Sequence, residues 1–335
     1  MIKNVDVVLG LSYGDEGKGK ITHLLTSKFK YDYCIRVAGG ANAGHTIFHN
    51  GKKYVTHTIP TGIFYGVPGI IGNGCVLNID SFFAELKELK EGGIDVVNKV
   101  FIASNCHIVT DKHLEEEKQE TKVGTTKRGI GPAYRDKYDR KGLRADQIPE
   151  LKPYLVDMYS LLYSKDDDLS ILCEGAQGHM LDIDWGDYPY VTSSSTTIAG
   201  VIQNGITPFK LRYVYGIIKA YDTYVGSKQF QPEGEIFNNM RELGKEYGAT
   251  TGRPRQCNYL NLDNVLKAAD MSGVSYICMN KMDILDELNH YAYIHNGSVH
   301  ICNSKQEFLD NIRNVLVGRA FFVSYGPDKD YEMVR

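Results

Sequence analysis

The sequence predicts an α/β fold: a largely parallel central sheet with flanking helices, a phosphate loop after the first strand, and small helical excursions. Three observations carry that prediction. Short apolar runs rich in β-branched residues alternate with amphipathic stretches of helical period. The first such run, Val5-Asp6-Val7-Val8-Leu9-Gly10-Leu11, leads into Gly14-Asp15-Glu16-Gly17-Lys18-Gly19-Lys20. A helix-like segment, Ile21-Thr22-His23-Leu24-Leu25, follows at once. Strand, glycine-rich turn and helix in succession aim backbone N–H groups and a helix N-terminus at a phosphate.

Along the chain, strands are expected at residues 5–11, 33–37, 69–71, 100–102, 170–173, 212–218, 275–279 and 320–324. Helices are expected at residues 18–27, 79–91, 262–271 and 305–316. In the last of these Phe308, Ile312 and Val315 share one face, with Lys305, Glu307 and Asp310 turned outward. The stretch 111–168 is charged and poor in strand signals, and reads as a helical insertion at the sheet's edge. No linker or internal repeat divides the chain, so one domain spanning 1–335 is expected.

The bulk numbers exclude more than they assign. A formal charge of −3 argues against a nucleic-acid binder, which usually carries a basic excess. No apolar run is long enough to cross a bilayer, so neither nucleic acid nor membrane is an expected partner. The seven cysteines are scattered and form no Cys-x-x-Cys pair, which favours a reducing compartment over a disulfide framework or zinc site. With no leader-like segment before the first strand, the expected location is the cytoplasm.

The glycine loop fits the phosphate-loop spacing of glycine, four residues, glycine and lysine. Ile21, however, stands where a Mg²⁺-binding Ser or Thr is expected. Something else must hold the metal, and the acidic pair Asp15-Glu16 inside the loop is the candidate. A carboxylate facing a triphosphate is tolerable only beside a cation or with a chemical task.

A second small-residue turn, Gly39-Gly40-Ala41-Asn42-Ala43-Gly44-His45-Thr46, follows the strand at 33–37, where Asn42 and His45 can read a ligand. Asn280-Lys281-Met282-Asp283 ends a buried strand. A carboxylate there can accept from guanine N1–H and its 2-amino group while the lysine stem covers the base, and the bland alternative is a polar loop with a helix cap. Gly248-Ala249-Thr250-Thr251-Gly252-Arg253-Pro254-Arg255 suits a dicarboxylate or phosphate. Gly124-Thr125-Thr126-Lys127-Arg128-Gly129 has phosphate-binding character, and Glu174-Gly175-Ala176-Gln177-Gly178 and Tyr188–Ser194 supply Gln177 and Thr192. Each of these taken singly could be an ordinary polar turn.

Taken together, these stretches resemble the adenylosuccinate synthetase family, in that family's order. The tail Ser324-Tyr325-Gly326-Pro327-Asp328 resembles its final nucleotide-contacting turn. The resemblance implies a ligase that joins IMP and L-aspartate at the expense of GTP with Mg²⁺. The γ-phosphoryl first moves to O6 of IMP, and the aspartate amine then displaces phosphate from C6. It implies that Asp15 takes the N1 proton and ligates Mg²⁺ with the Gly44 carbonyl, and that His45 stabilises the transferring group. It assigns Gly14, Glu16, Gly17, Lys18, Gly19, Lys20 and Thr46 to the GTP phosphates, and Lys281, Asp283, Ser324 and Gly326 to guanine. Asn42, Thr126, Arg140, Gln177, Thr192 and Arg253 would hold IMP, with Arg140 reaching across a homodimer interface. Thr250, Thr251, Arg253 and Arg255 would hold aspartate, with Arg255 also near the ribose or GTP.

The chain also departs from the family pattern. It is shorter than common members between Arg144 and Leu172 and between Asp283 and Ser324. The run Val225-Gly226-Ser227-Lys228-Gln229-Phe230-Gln231-Pro232-Glu233 diverges, Lys127 replaces a glycine, and Pro254 and Gln256 interrupt a run of arginines. These changes keep open a phage-type relative that aminates dGMP, with ATP as a further donor candidate. A different class, a GTP-binding module without ligase activity, is disfavoured by the retention of Asp15, His45, Gln177 and Arg253 together. The retained Asp15 favours IMP, since those phage-type relatives usually carry serine there.

Overall fold

The computed structural model describes residues 1–164, 168–248, 252–327 and 329–334. Among these a ten-stranded sheet forms the centre. From one edge its strands run Glu332–Met333, Ala320–Val323, Tyr276–Asn280, Leu211–Lys219 and Ile2–Gly10, then Leu169–Glu174, Tyr33–Arg36, Gly69–Ile71, Val100–Ala103 and Leu155–Val156. All neighbours are parallel except Glu332–Met333, which runs antiparallel to Ala320–Val323. From Val5 onward the first strand is buried throughout, as a parallel sheet covered on both faces requires. Every strand expected from the apolar runs is present, its ends shifted by a few residues at most.

The winding decides where a ligand can sit. The chain leaves Ile2–Gly10, works outward to Leu155–Val156, and returns to insert Leu169–Glu174 beside the first strand. It then continues on the other side with Leu211–Lys219. The reversal opens a crevice at the carboxyl ends of these three strands, the usual ligand position in open α/β sheets. The glycine loop, the Gly39–Thr46 turn, the Glu174–Gly178 turn and Asn280 all leave the sheet at that end.

The helices begin where their caps stand. Asn78 accepts from Ser81 N at 2.9 Å to start Ile79–Glu91, Asn261 accepts from Asn264 N at 3.1 Å to start Leu262–Ser272, and Ser304 accepts from Glu307 N at 3.2 Å to start Lys305–Val315. Helix Lys18–Lys28 is different: its N-cap is Gly17 in the left-handed region, no side chain caps it, and no acid lies in its first turn. Its positive end is left open toward the crevice.

The stretch 111–168 carries helices Asp111–Lys118, Ile130–Tyr138 and Met158–Tyr163 together with short 3₁₀ turns. It also supplies the edge strand Leu155–Val156, whose two residues are too short to register as a periodic run. Elements the apolar pattern did not indicate include a four-stranded sheet of Tyr221–Tyr224, Gln256–Asn261, Tyr291–His295 and Ser298–Cys302, and the hairpin His45–His49 with Lys52–Thr56. All seven cysteines are buried and unpaired. Among the described residues no helix is long and apolar enough to cross a membrane.

Candidate functional site

Adjacent acids in the glycine loop have opposite fates. Glu16 turns inward and is buried. It accepts from Gly14 N at 2.8 Å and Ser12 N at 3.2 Å, and pairs with buried Lys18 at 2.6 Å. It therefore shapes the loop from within, and Lys18 is committed to it. Asp15 sits in the left-handed region at φ 58° with its side chain 38% exposed, facing the crevice. Its partner there is Arg255, whose Nη2 lies 2.8 Å away. Two glycines flank the Glu16 carboxylate, a Cβ on Gly10 or Gly178 falling 2.4 Å from one of its oxygens, and at Gly17, φ 100°, a Cβ would fall 2.7 Å from Asn280 Nδ2. Asn280 in turn donates to the Glu16 carbonyl at 2.7 Å, tying loop to strand end. Lys20 reaches across the mouth, donating to Ser324 Oγ at 2.5 Å and to the Gly326 carbonyl at 2.6 Å.

The crevice is a cavity of about 660 Å³. It is lined by the loop from Gly14 to Lys20, by Asn42, Gly44, His45 and Thr46, and by Thr126, Gln177 and Thr192. Arg253, Arg255, Lys281, Asp283 and Gly326 complete the lining. Most residues singled out from sequence thus converge on one space. Ser324 is buried and touches it only through Lys20 and Gly326. Arg140 is exposed, in the left-handed region, and is not part of this chain's cavity wall. Thr250 and Thr251 lie outside the described residues.

His45 sits in a buried relay. Its Nδ1 bonds Glu174 Oε1, and its Nε2 lies 3.1 Å from Arg36 Nη1. Arginine can only donate, so Nε2 accepts and Nδ1 carries the proton: the imidazole is neutral. Burial, reinforced by Arg36, pushes its pKa down to about 4 against the pull of Glu174. Glu174 is itself held down to about 2; burial opposes this, but Arg36 and His45 outweigh it. It also accepts from Thr61 N at 2.7 Å. At Asp15 the protein surroundings oppose ionisation, yet Arg255, Lys219 and Lys18 hold the carboxyl below its ordinary value. Asp15 is an anion at neutral pH.

Two buried acceptors point to ligand recognition. Among the described residues, Gln177 Oε1 and Asp283 Oδ1 are shut off from solvent without a hydrogen-bond partner, and both residues line the cavity. An unsatisfied buried acceptor costs stability unless a ligand supplies the donor. Arg253 Nη1, also in the lining, donates to the Gly124 carbonyl at 2.9 Å, joining the arginine loop to the Thr125-Thr126 turn.

Sequence reasoning missed Arg36, Lys219 and Glu246. The signal for the first two was a cation inside an apolar strand run, which a buried sheet tolerates only with an anionic partner. Arg36 has Glu174, its Nη2 3.3 Å from Oε1, and Lys219 has Glu246 at 3.3 Å.

The buried relay makes a stability prediction. Every histidine with a resolved shift (His23, His45, His49, His107 and His179) is lowered, His23 and His45 to about 4, so as pH falls below 6.5 these groups bind more protons in the unfolded chain than in the native one. Their contribution is complete above pH 6.5 and is lost on acidification. Buried Asp222, raised to about 6, works the other way but is a single group. The thermal unfolding midpoint is expected to fall by several degrees from pH 7 to pH 5, and to fall less in H45Q. A flat profile over that range would contradict the neutral, buried assignment.

A sequence profile of adenylosuccinate synthetase matches residues 7–150 and 146–317. Adenylosuccinate synthetase of Phaeodactylum tricornutum is 38% identical, the match covering 93% of this chain and 69% of that protein. The enzyme of Proteus mirabilis is 40% identical, over 86% of this chain and 78% of the other. A fully ligated adenylosuccinate synthetase from Plasmodium falciparum superimposes with a TM-score of 0.88 at 28% identity, covering 99% of this chain and all of that one. A cyanophage S-2L succinoaminodeoxyadenylate synthetase bound to dGMP and dATP shares the fold, with a TM-score of 0.78 at 22% identity over 98% of this chain and 94% of that one.

Proposed function

The chain belongs to the adenylosuccinate synthetase family, and from that membership we propose that it joins L-aspartate to C6 of IMP at the expense of GTP. The observation that carries the proposal is the ionised Asp15 carboxylate, presented to the cavity from within a phosphate loop beside Arg255. In the first half-reaction Asp15 takes the N1 proton of IMP, O6 attacks the γ-phosphorus, and GDP leaves. In the second the aspartate amine attacks C6, the C6–O bond breaks, and phosphate departs. The amine sheds its proton as the C6–N bond forms, and adenylosuccinate, GDP, phosphate and the protons released from purine N1 and the amine balance the atoms.

The residues divide the work by chemistry. Phosphoryl transfer depends on position and charge neutralisation, which the open end of helix Lys18–Lys28, the loop amides and Lys20 provide, with Thr46 beside them. His45 hydrogen-bonds the phosphoryl group once Nε2 takes up a proton, Nδ1–H remaining on ionised Glu174, which requires Arg36 to give up its present contact. Asn42, Thr126, Gln177, Thr192 and Arg253 bind IMP. The Arg253–Arg255 loop, including Thr250 and Thr251, takes the aspartate carboxylates.

Mg²⁺ fits the donor set. Among the described residues no group of three or more His, Cys, Asp or Glu could hold a metal. Mg²⁺ is commonly bound through one or two protein oxygens, with phosphates and water completing the shell. Asp15 and the Gly44 carbonyl, both in the cavity wall, would supply those oxygens. Held there, the ion would supply neutralisation of charge on the nucleotide phosphates.

Asp283 Oδ1 suits guanine N1–H, and adenine has no such donor. D283N is expected to lower kcat/KM for GTP by roughly a hundredfold while changing that for ATP little; equal losses for both would remove Asp283 from base recognition. We also read 1–335 as one folding unit, since a single apolar cluster runs from Ile2 to Val323. Exposed Arg140 would serve a second copy in a cytoplasmic homodimer.

The deciding assay offers IMP, GMP or dGMP with aspartate and either GTP or ATP, and follows phosphate release. IMP with GTP is the expected pair. The alternative has one specific support, the altered 225–233 loop: Lys228 there pairs with Asp187 and lies over the Tyr13 ring, 5.4 Å from its centroid, at the cavity's edge. Release with dGMP alone would transfer the assignment to that reading. Release with no acceptor would reduce the chain to a nucleotide-binding module.

A further inference from the structure

We propose that Glu246, a residue outside the cavity lining, is the positioning anchor that sets the aspartate-binding arginine and the guanine-binding lysine together. The inference rests on the ligase reading. Glu246 is completely buried, and its two oxygens are divided between the loops of two different substrates. Oε2 pairs with Arg255 Nη1 at 2.5 Å and with Lys219 at 3.3 Å. Oε1 accepts from the Tyr221 hydroxyl at 2.8 Å and lies 3.9 Å from Lys281 Nζ. Lys281 completes its tether by donating to the Gly244 carbonyl at 2.6 Å, two residues before Glu246.

The backbone repeats the same connection. Arg255 N donates to the Glu246 carbonyl at 2.9 Å, and Arg241 Nε donates to the Arg255 carbonyl at 2.6 Å. Through the other end of its guanidinium Arg255 meets Asp15 at 2.8 Å. One carboxylate thus faces three cations, Lys219, Arg255 and Lys281, and those cations overcome burial to hold it ionised, at about 2. A fully buried anion at such a junction fixes cation geometry, because any displacement leaves charge unpaired in a dry interior. Arg255 serves the amino acid and Lys281 the donor base, so loosening Glu246 should weaken both together. IMP, held by Asn42, Thr126, Gln177 and Thr192 and by Arg253, whose own tie is to the Gly124 carbonyl and not to Glu246, should be untouched.

The test is steady-state kinetics on E246Q and Y221F, each beside the native protein, with the KM measured separately for L-aspartate, GTP and IMP. E246Q is expected to raise the first two roughly tenfold or more, the equivalent of losing a charge-assisted hydrogen bond, and to leave the third within about twofold. Y221F removes one bond to Glu246 without touching the cavity, and is expected to move the same two constants together by a few-fold. It decides the matter should E246Q fail to fold. Unchanged constants, or a rise shared by IMP, would overturn the anchor role. A native protein that turns over none of these substrates would overturn the ligase reading itself, so the two failures are distinguishable.

Discussion

D15N is expected to fold as the native protein does and to turn over IMP, aspartate and GTP about a thousandfold more slowly or worse. The substitution removes no buried interaction apart from the Arg255 contact, since Asp15 is the loop's exposed acid, seated at φ 58°, a backbone region asparagine also tolerates. On the proposed mechanism it removes the group that receives the N1 proton. Without that transfer O6 stays a weak nucleophile. The checks are phosphate release and a thermal melt on the same sample. Robust turnover would refute the assigned base, and a large drop in midpoint would show that Asp15 is structural instead.

One residue further on, E16A should give the opposite result: loss of the fold before loss of chemistry. Glu16 is buried against Lys18, and its Oε1 accepts two backbone N–H groups of the loop. Truncation leaves an ammonium buried without its anion and two amides without acceptors, a change worth about 3–5 kcal/mol. Gly178, whose Cβ would press on Ser12 O and on Glu16 itself, shows how tightly the pocket is built around this carboxylate. Denaturant unfolding should show a midpoint well below native, and the surviving folded fraction should bind nucleotide poorly. An E16A protein of native stability would mean that the loop holds its shape without the internal pair.

The contrast between these neighbours shows where sequence reasoning stops. The acidic pair Asp15-Glu16 was readable as the substitute for the absent Ser or Thr, but not which acid faces the ligand. That depends on Gly10 and Gly178, distant in sequence, both leaving room for the Glu16 carboxylate. The sheet strands were legible because apolar runs are long signals. The hairpin at 45–56 was not, although its Asn50-Gly51 turn, both residues at positive φ, is a recognised hairpin signature, as is Asn296-Gly297 between two further strands. These strands are short or half exposed, so the apolar pattern never rose above the loops around them. Glu246 was invisible for another reason. A lone acid in a polar stretch carries no period and no motif, and its importance comes from three cations that arrive from separate segments of the chain.

A crystal structure with IMP, GDP, Mg²⁺ and an unreactive analogue of aspartate tests the account most directly, through the position of one carboxylate. The prediction is that Asp15 has left Arg255, ligates the ion, and stands within hydrogen-bonding distance of purine N1, with Arg255 now on the analogue's carboxylate. An Asp15 still paired with Arg255 and remote from both purine and metal would contradict it.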